Sequence, residues 1–383
     1  MMPHKKVLIA MSGGVDSSVA AALLKKQGYD VYGATMQIWP EDASPAGGEI
    51  AGKSGCQISR SCCAQDAVDD ARRVCHQLGI PHYVFNFKDY FEEKVIANFC
   101  SEYQNGRTPN PCIRCNKYVK FEKFLRRAKE LGMDYIATGH YVRIAKVAAP
   151  KNGPRHAGAA TQYKLKKAKD HHKDQSYVLY MLNQPQLAQT LFPLGNYTKL
   201  QVRALAKKFK LHIHEKAESQ DICFVPDGNF AGFLKRRFPQ LNKPGPIKNL
   251  QGKILGQHRG IAFYTIGQRR GLNVAAGHPM YVTKIDKKTN TIYIGGEKDL
   301  LRKDLMAEKF TFVAGKAPTT TLKGQVKIRY NTPAAKATSR YSGRGHVKII
   351  FDRLQKAVTP GQSAVFYRGE EVVGGGVIAQ IPR

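Results

Sequence analysis

The stretch Val-Leu-Ile-Ala-Met-Ser-Gly-Gly-Val-Asp-Ser-Ser at residues 7–18 decides the expected fold. Its first five residues are an apolar run typical of a buried strand, and residues 18–27, rich in Ala, Leu and Lys, predict a helix ended by Gly28. Between them, Gly13 and Gly14 let the backbone approach an anion closely. The open N–H groups at the start of the helix favour an anion at the same place. This order predicts a phosphate-binding loop.

The loop carries hydroxyl groups and one carboxylate. Ser12, Ser17 and Ser18 can donate hydrogen bonds to phosphate oxygens, whereas Asp16 would repel phosphate unless Mg²⁺ lies between them. The loop lacks the lysine of a Walker loop and the Gly-x-Gly-x-x-Gly spacing of a dinucleotide-binding turn. We therefore expect a nucleotide with Mg²⁺ held at Asp16, with a plain glycine-rich turn as the alternative.

Strands and helices alternate on the carboxyl side of the loop. Strands are predicted at residues 31–36, 82–87 and 135–138, and helices at residues 64–78, 90–103 and 120–131. This alternation predicts an α/β fold with a Rossmann-like parallel sheet, in which ligands bind at the carboxyl ends of the strands. Residues 40–61 predict a long loop, and residues 146–162 predict a surface insertion without a periodic face.

The texture of the chain changes near residue 226, where Gly and Pro become frequent and short apolar runs replace long helices. Such runs lie at residues 280–285, 291–294, 325–330, 346–351 and 363–367. Short strands separated by turn residues predict a small antiparallel barrel or sandwich.

The net charge indicates the kind of partner. The 383 residues include 61 Lys and Arg against 29 Asp and Glu, which gives +32. A polyanion, most commonly nucleic acid, explains this excess better than a small acidic metabolite does; a basic proteome is the alternative. No apolar run approaches the ~20 residues of a membrane-spanning helix, and no secretory signal is evident, so we expect a cytoplasmic protein without a membrane partner.

Three of the eight cysteines draw attention because they lie in polar segments. Cys112 and Cys115 fall in Thr-Pro-Asn-Pro-Cys-Ile-Arg-Cys-Asn-Lys at residues 108–117, read as an extended loop ahead of a helix near Lys120, and Cys223 lies in a polar loop. A nearby helix start and cationic neighbours would lower the pKa of the Cys115 thiol.

Four explanations of these cysteines remain open. Buried structural cysteines are the plain one, and zinc is weakly supported because a second Cys pair at finger spacing is missing. An iron–sulfur cluster held by Cys112, Cys115 and Cys223 is chemically possible. Redox-active sulfur transfer between Cys115 and Cys223 is the fourth.

Taken together, the motifs resemble the tRNA-specific 2-thiouridylases, a family of the ATP pyrophosphatase superfamily. The resemblance covers essentially the whole chain in order and spacing. It is carried by residues 12–18, 108–117, 137–141 (Ala-Thr-Gly-His-Tyr), 173–177 (Lys-Asp-Gln-Ser-Tyr), 256–260, 264–272 (Tyr-Thr-Ile-Gly-Gln-Arg-Arg-Gly-Leu) and 360–362 (Pro-Gly-Gln).

The resemblance implies an enzyme that uses ATP to adenylate O2 of the wobble uridine and replaces that oxygen with sulfur. The alternatives are tRNA thiolation that depends on an iron–sulfur cluster and another ATP pyrophosphatase that acts on a small substrate. The substrates would be tRNAs for Lys, Glu and Gln, and the sulfur would come from a sulfur-relay protein or a cysteine desulfurase. It implies a monomer with a catalytic domain at residues 1–225, a central tRNA-contacting domain at 226–292 and a carboxy-terminal β-barrel at 293–383.

The resemblance also implies roles for individual residues. Cys223 would carry the persulfide, and Cys115 would be its partner thiol, forming a disulfide during turnover. The ATP-binding residues would be Ala10, Met11, Ser12, Gly13, Gly14, Val15, Asp16, Ser17, Met36 and Gly139. The residues that contact the base or the tRNA would be Asn110, Pro111, Cys112, His140, Lys173, Asp174, Gln175, Arg329, Tyr330 and Gln362.

One position departs from the family pattern. Relatives often carry Asp, a candidate general acid or base, where this chain has Cys112. This thiol offers an alternative disulfide with Cys115 and keeps the cluster hypothesis open.

Overall fold

A computed structural model describes residues 4–38, 65–148, 161–217, 223–225, 229–318 and 321–379. The chain divides into two compact units. The first unit comprises Met1–Val95 and Cys112–Gly228, and the second comprises Ile96–Pro111 and Asn229–Arg383. In the described ranges, none of the helices has the length and apolar character needed to cross a membrane.

The first unit is built on a five-stranded parallel sheet in the order β3-β2-β1-β4-β7, and it also contains a hairpin of β5 and β6. Its strands are β1 (Lys6–Ala10), β2 (Asp30–Gln37), β3 (His82–Asn86), β4 (Tyr135–Ala137), β5 (Arg143–Ala148), β6 (Thr161–Lys166) and β7 (Thr190–Leu191). The central strand β1 is fully buried at Val7, Leu8 and Ile9, as expected for a parallel strand covered on both faces.

The α-helices are, in chain order, α1 (Val15–Lys26), α2 (Gln65–Gln77), α3 (Lys88–Phe91), α4 (Ala97–Gln104), α5 (Pro111–Arg114), α6 (Phe124–Glu130), α7 (Gln184–Ala188), α8 (Lys199–Lys208) and α9 (Phe230–Arg237). Two π-helical segments, Glu92–Ile96 and Cys115–Lys123, join α3 to α4 and α5 to α6. The chain is therefore helical without a break over residues 88–104 and 111–130. Single 3₁₀ turns lie at Ser176–Val178, Pro239–Leu241, Ile261–Phe263 and Glu297–Leu300.

The second unit contains two sheets. A four-stranded sheet in the order β10-β11-β8-β9 consists of β8 (Gly245–Lys248), β9 (Ile254–His258), β10 (Tyr281–Asp286) and β11 (Thr291–Gly295). The other sheet is a closed antiparallel barrel of β12 (Leu301–Phe312), β13 (Leu322–Lys327), β14 (Ala335–Tyr341), β15 (Val347–Lys356), β16 (Ser363–Arg368) and β17 (Glu371–Ile378). Closure is possible because the long strand β12 pairs with β15 over its first half and with β17 over its second.

The α/β class, the Rossmann-like sheet and the carboxy-terminal barrel are confirmed. The predicted loop at residues 40–61 lies outside the described residues, as do residues 149–160 of the predicted insertion. The ends of that insertion are strands, however, because residues 146–148 and 161–162 belong to the β5–β6 hairpin. Its sequence has no periodic face, yet a two-stranded hairpin needs only ladder hydrogen bonds at its base.

A charged link fastens the segment before Pro111 to the barrel in the second unit. The Arg107 Nη2 atom donates to Glu308 on β12 at 2.7 Å, and its Nε atom lies 2.8 Å from a Glu102 carboxylate oxygen as an ion pair. The three side chains are only 17–25% exposed. Removing Arg107 would therefore leave two carboxylates poorly solvated.

We expect Arg107→Ala to lower the free energy of unfolding of the second unit by about 2–4 kcal/mol, because a partly buried pair loses one partner. Lys348→Ala is the matched control in the same unit, since its pair with Asp304 is half exposed and should contribute below ~0.5 kcal/mol. Chemical denaturation monitored by tyrosine fluorescence measures both variants. Equal losses in the two would contradict the structural role of Arg107.

Candidate active site

The glycine loop lies at the carboxyl edge of the parallel sheet. Met11, directly after β1, donates its N–H to the Ala34 carbonyl of β2 at 2.8 Å and accepts a hydrogen bond from the Thr35 hydroxyl at 3.0 Å. Because β1 lies between β2 and β4, Met36 at the end of β2 and Gly139 after β4 stand on either side of the loop. Three parallel strands thus bring the predicted ATP-binding residues to one edge.

The conformation of the loop suits an anion. Gly13 has φ +65°, and a Cβ there would lie 2.2 Å from the Ala67 carbonyl oxygen, so only glycine fits. Gly14 is the N-cap of α1 and has no side chain to cap the helix, which leaves its first N–H groups available to a ligand. Ser12 and Ser17 lie within 3.2 Å of each other through their hydroxyl groups. This backbone cradle fits a phosphate group.

Gly139 packs directly against the start of α1. A Cβ on Gly139 would lie 2.8 Å from the Ser17 backbone nitrogen and 2.9 Å from the Asp16 carbonyl carbon. The strand end after β4 therefore touches the first turn of the helix, as a site assembled from several strand ends requires.

Asp16 is held by two side chains that the sequence did not single out. The Tyr141 hydroxyl donates to Asp16 Oδ1 at 2.7 Å, and the Lys199 ammonium donates to the same oxygen at 2.7 Å. The Lys199 side chain is 12% exposed and that of Asp16 is 33% exposed. Lys199 thus brings a positive charge from α8 to a loop that has no lysine of its own.

The sequence around Lys199 contains a feature that indicates a partner for this lysine. Thr198 and Gln201 form a capping box that starts α8 at Lys199. A cation in the first turn of a helix opposes the helix dipole, so its position there calls for a partner elsewhere. Tyr141 is the last residue of the quoted 137–141 motif.

A second lysine reaches the loop from the other side. The Lys216 ammonium donates to the Gly13 carbonyl at 3.0 Å and to the Asp70 carboxylate at 2.6 Å. Burial would raise the pKa of Asp70, but hydrogen bonding and charge from Lys216, with His212 beside it, outweigh burial and hold that pKa below its ordinary value. Asp70 therefore stays ionised and keeps Lys216 at the loop.

The prediction that Cys115 precedes a helix near Lys120 is wrong. The helix begins at Pro111, so Cys112 lies in its first turn and Cys115 in its second. Proline is favoured at the first helical position because its missing N–H needs no partner there and its φ suits a helix. Cys112 is exposed, whereas Cys115 is 8% exposed.

The segment that carries Cys115 and the segment that carries Cys223 both contact the helical residues 88–96. Arg114 donates to the Lys94 carbonyl through Nε at 3.1 Å and Nη2 at 3.0 Å. Phe224, next to the half-buried Cys223, is 3% exposed and meets Phe91 edge-on at 5.7 Å. Phe91 and Lys94 are one helical turn apart, so the chains carrying Cys115 and Cys223 are anchored on neighbouring positions.

The described cysteines are in the thiol form, so the predicted Cys115–Cys223 disulfide is not formed in this conformation. Within the described ranges, no group of three or more His, Cys, Asp or Glu side chains is arranged to hold a metal ion.

His140 is buried rather than presented at the surface. It is 8% exposed, its Nδ1 lies 2.7 Å from the Thr138 hydroxyl, and its ring packs near Phe121 and Phe192. Burial, helped by the charge of Lys120, lowers the pKa of His140 well below its ordinary value. The imidazole is therefore neutral, and any contact with tRNA would be a hydrogen bond rather than an ion pair.

The predicted tRNA-contacting residues of the first unit are tied into its own framework. Asp174 accepts hydrogen bonds from the Ala168 N–H at 3.0 Å and the Ser176 hydroxyl at 2.7 Å. The Gln175 side chain accepts the Tyr141 N–H at 2.9 Å. This segment fixes Tyr141, and through it Asp16.

The second unit holds Asn110, Pro111, Arg329, Tyr330 and Gln362. The Gln362 amide donates to the Thr108 and Pro109 carbonyls at 3.0 and 3.2 Å, so it fixes the segment that leads to Asn110. Arg329 donates to the Ala357 carbonyl at 2.6 Å and the Thr359 hydroxyl at 2.7 Å, whereas Tyr330 is 38% exposed. Of this pair, Tyr330 offers the more accessible surface.

Comparison with known proteins shows the family of the chain. A family model described as "tRNA methyl transferase HUP domain" matches residues 5–227, and models described as "tRNA methyl transferase PRC-barrel domain" and "Aminomethyltransferase beta-barrel domain" match residues 231–296 and 302–378. The chain is 50% identical to the tRNA-specific 2-thiouridylase MnmA of Halothermothrix orenii over 98% of this chain and 99% of that protein. The chain belongs to the tRNA-specific 2-thiouridylase family.

A second member of the 2-thiouridylase family, MnmA of Desulforamulus reducens, is 48% identical over 99% of this chain and 98% of its own. Among solved structures, an NMN synthetase from Francisella tularensis aligns with 57% of this chain and 67% of its own at a TM-score of 0.32 and 18% identity.

We expect Lys199→Ala to raise the KM for ATP by roughly 10–100-fold, because a charge-assisted contact at the phosphate loop is worth about 1.5–3 kcal/mol. Lys207→Ala, on the exposed face of the same helix, is the control for loss of one cation. Steady-state kinetics of AMP release at varied ATP concentration measures the effect. An unchanged KM in Lys199→Ala would contradict the role assigned to this lysine.

The low pKa of His140 also predicts a pH dependence of stability. Below about pH 6.5 the unfolded chain binds a proton at this imidazole that the folded chain does not bind. The free energy of unfolding therefore decreases as the pH is lowered, by up to ~1.4 kcal/mol per pH unit. We expect His140→Gln to reduce the drop in melting temperature between pH 7.5 and 5.5. The same drop in variant and parent would show that His140 does not contribute.

Proposed function

We propose that this protein is an ATP-dependent tRNA-uridine 2-sulfurtransferase, which adenylates O2 of the wobble uridine and replaces it with sulfur. The products are 2-thiouridine, AMP and pyrophosphate. The observation that carries the proposal is that one unit holds both parts of the chemistry. A phosphate loop with Asp16 engaged by Lys199 stands in the same unit as Cys115 and Cys223, whose segments meet on residues 88–96.

The phosphate loop accounts for the activation step. The C2 carbonyl of uracil reacts poorly because its oxygen is a poor leaving group, and transfer of AMP to that oxygen turns it into a good one. Ala10 to Ser17, with Met36 and Gly139, would hold ATP at the sheet edge. Asp16 would hold Mg²⁺, and Lys199 then becomes available to the phosphates.

The two thiols account for sulfur delivery. Cys223 would carry a persulfide, whose terminal sulfur attacks C2 while AMP leaves. The Cys115 thiolate would attack the inner sulfur of Cys223, which leaves the terminal sulfur on the uridine and a Cys115–Cys223 disulfide. Release of the terminal sulfur as sulfide, which then attacks C2, is the other route.

The substrate-binding residues complete the proposal. Asn110, Pro111 and Cys112 would line the flipped base, since they lie at the start of the 111–130 helix. His140, the segment Lys173–Gln175, Arg329–Tyr330 and Gln362 would contact or support contacts to tRNA. The excess of cations would make affinity for tRNA fall steeply with salt.

Further features follow from the same proposal. The substrates would be the tRNAs for Lys, Glu and Gln, and the donor would be a sulfur-relay protein or a cysteine desulfurase. The enzyme would act in the cytoplasm as a monomer. Its domains would comprise residues 1–225, 226–292 and 293–383.

Two other chemistries are separable by experiment. An iron–sulfur cluster at Cys112, Cys115 and Cys223 would give a charge-transfer absorption spectrum on anaerobic purification. Methyl transfer, which the family-model descriptions name, would need a methyl donor and would leave the thiols without a role.

The test is mass spectrometry of nucleosides after tRNA is incubated with the full chain, ATP, Mg²⁺ and inorganic polysulfide. We expect 2-thiouridine from the parent protein and none from Cys223→Ser, because the persulfide has lost its carrier. Cys223→Ser should still form AMP in the presence of tRNA, since the phosphate loop is intact.

Asp16→Asn is the complementary variant, because it should lose AMP formation and therefore thiolation. Cys100→Ser controls for removal of a buried thiol in the second unit. Thiolated tRNA from Cys223→Ser would refute the persulfide role. Methylated uridine in place of thiolated uridine would refute the reaction.

A further inference from the structure

Cys112 and Cys115 form a pair with opposite accessibility. Of the five cysteines that the structure describes, Cys112 alone is exposed, while Cys115 is 8% exposed. They are three residues apart in a continuous helix, where Cβ atoms lie about 5–6 Å from each other. A disulfide needs about 3.5–4.5 Å, so a small adjustment of the first helical turn joins them. Among the other cysteines in the described ranges, Cys75 and Cys100 are buried in separate helices.

Contacts hold the residues around the buried Cys115, whereas Cys112 is exposed. Arg114, between the two cysteines, is fastened to the Lys94 carbonyl and stacks over Tyr118 with its guanidinium carbon 4.4 Å from the ring centre. Phe224 anchors Cys223 against Phe91 on the same helix. Cys112, by contrast, lies in the first turn of its helix, one residue after Pro111. A thiolate in a first helical turn is stabilised by the helix N–H groups.

The proposed function creates a difficulty that this pair resolves. Each turnover leaves a disulfide between Cys115 and Cys223, one buried and the other half-buried. Thiol–disulfide exchange requires in-line attack on a sulfur atom, so a protein-sized reductant gains little access to either. Until that bond is broken, Cys223 cannot accept another persulfide.

We propose that Cys112 is an exit thiol that moves this disulfide to the surface, an inference that rests on the proposed function. The Cys112 thiolate attacks the Cys115 sulfur, a Cys112–Cys115 bond forms, the Cys115–Cys223 bond breaks, and Cys223 leaves as a thiolate. No electrons are gained or lost in this exchange. An external dithiol then reduces the Cys112–Cys115 disulfide by attack on the exposed Cys112 sulfur and is itself oxidised to a disulfide. Cys223 is meanwhile ready to be reloaded.

The first test traps the oxidised enzyme after one turnover. The full chain is loaded with inorganic polysulfide, freed of excess, mixed with tRNA, ATP and Mg²⁺ without reductant, and quenched with N-ethylmaleimide. Trypsin cuts after Arg107, Arg114 and Lys117, so Cys112 and Cys115 fall on separate peptides. We expect a Cys112–Cys115 linkage with alkylated Cys223 in the parent, and a Cys115–Cys223 linkage in Cys112→Ser. A parent protein that keeps Cys115–Cys223 and alkylates Cys112 would overturn the proposal.

The second test measures, for each variant, the ratio of the rate of the second turnover to the rate of the first. Any effect of Cys112 on base binding cancels in this ratio. With a thioredoxin-type dithiol protein as reductant, the ratio should be near one for the parent and about tenfold or more lower for Cys112→Ser. A small phosphine, which reaches a half-buried disulfide, should restore it. Cys112→Asp should behave like Cys112→Ser in this ratio, because a carboxylate cannot take part in thiol–disulfide exchange. Equal ratios in parent and variants would contradict an exit thiol.

The failure of this inference is distinguishable from failure of the proposed function. Absence of 2-thiouridine in the first turnover would refute the proposed function and the exit thiol with it. A normal first turnover with an unchanged turnover ratio would refute the exit thiol alone. Stoichiometric iron with the three thiols protected from N-ethylmaleimide in the anaerobic parent would also refute it, because the thiols would then be ligands.

Discussion

The carboxyl edge of the parallel sheet is the constraint on which this site depends. Parallel strands end at the same edge of a sheet. The strand order alone therefore brings together the turn after β1, Met36 of β2 and Gly139 after β4. A one-residue slip of β1 against its neighbours would turn Val7 and Ile9 to the opposite face and would misplace the loop. Burial of β1 on both faces therefore fixes the register of the core and the position of the loop together.

The placement of Asp16 shows how a carboxylate is tolerated where phosphate must bind. Alone, it would repel the nucleotide, but Tyr141 and Lys199 both donate to one of its oxygens, and Lys216 adds a second cation at Gly13. Part of the +32 net charge thus has a local purpose at the phosphate loop. The lysines therefore do more than form a surface for a polyanion.

The sequence predicted those features of the fold and site that local rules determine. Two glycines between an apolar run and a helix indicate the phosphate loop, because glycine allows the positive φ and the close backbone approach that such a turn needs. The start of the 111–130 helix does not follow from the sequence, because proline suits the first turn of a helix as well as it suits a loop. Lys199 and Lys216 could not be assigned to the loop from spacing alone, because their contacts cross more than 180 residues. Nor could the sequence show that His140 is buried.

The 111–130 helix also gives a physical reason why either Cys or Asp suits residue 112. The first turn of a helix stabilises negative charge, whether it belongs to a carboxylate or to a thiolate. An Asp-to-Cys replacement at residue 112 therefore preserves the electrostatic character of the position. It adds redox chemistry that a carboxylate lacks, one helical turn from Cys115. Because Arg114 holds this turn against the helix that also anchors Phe224, the added thiol enters a neighbourhood already connected to Cys223.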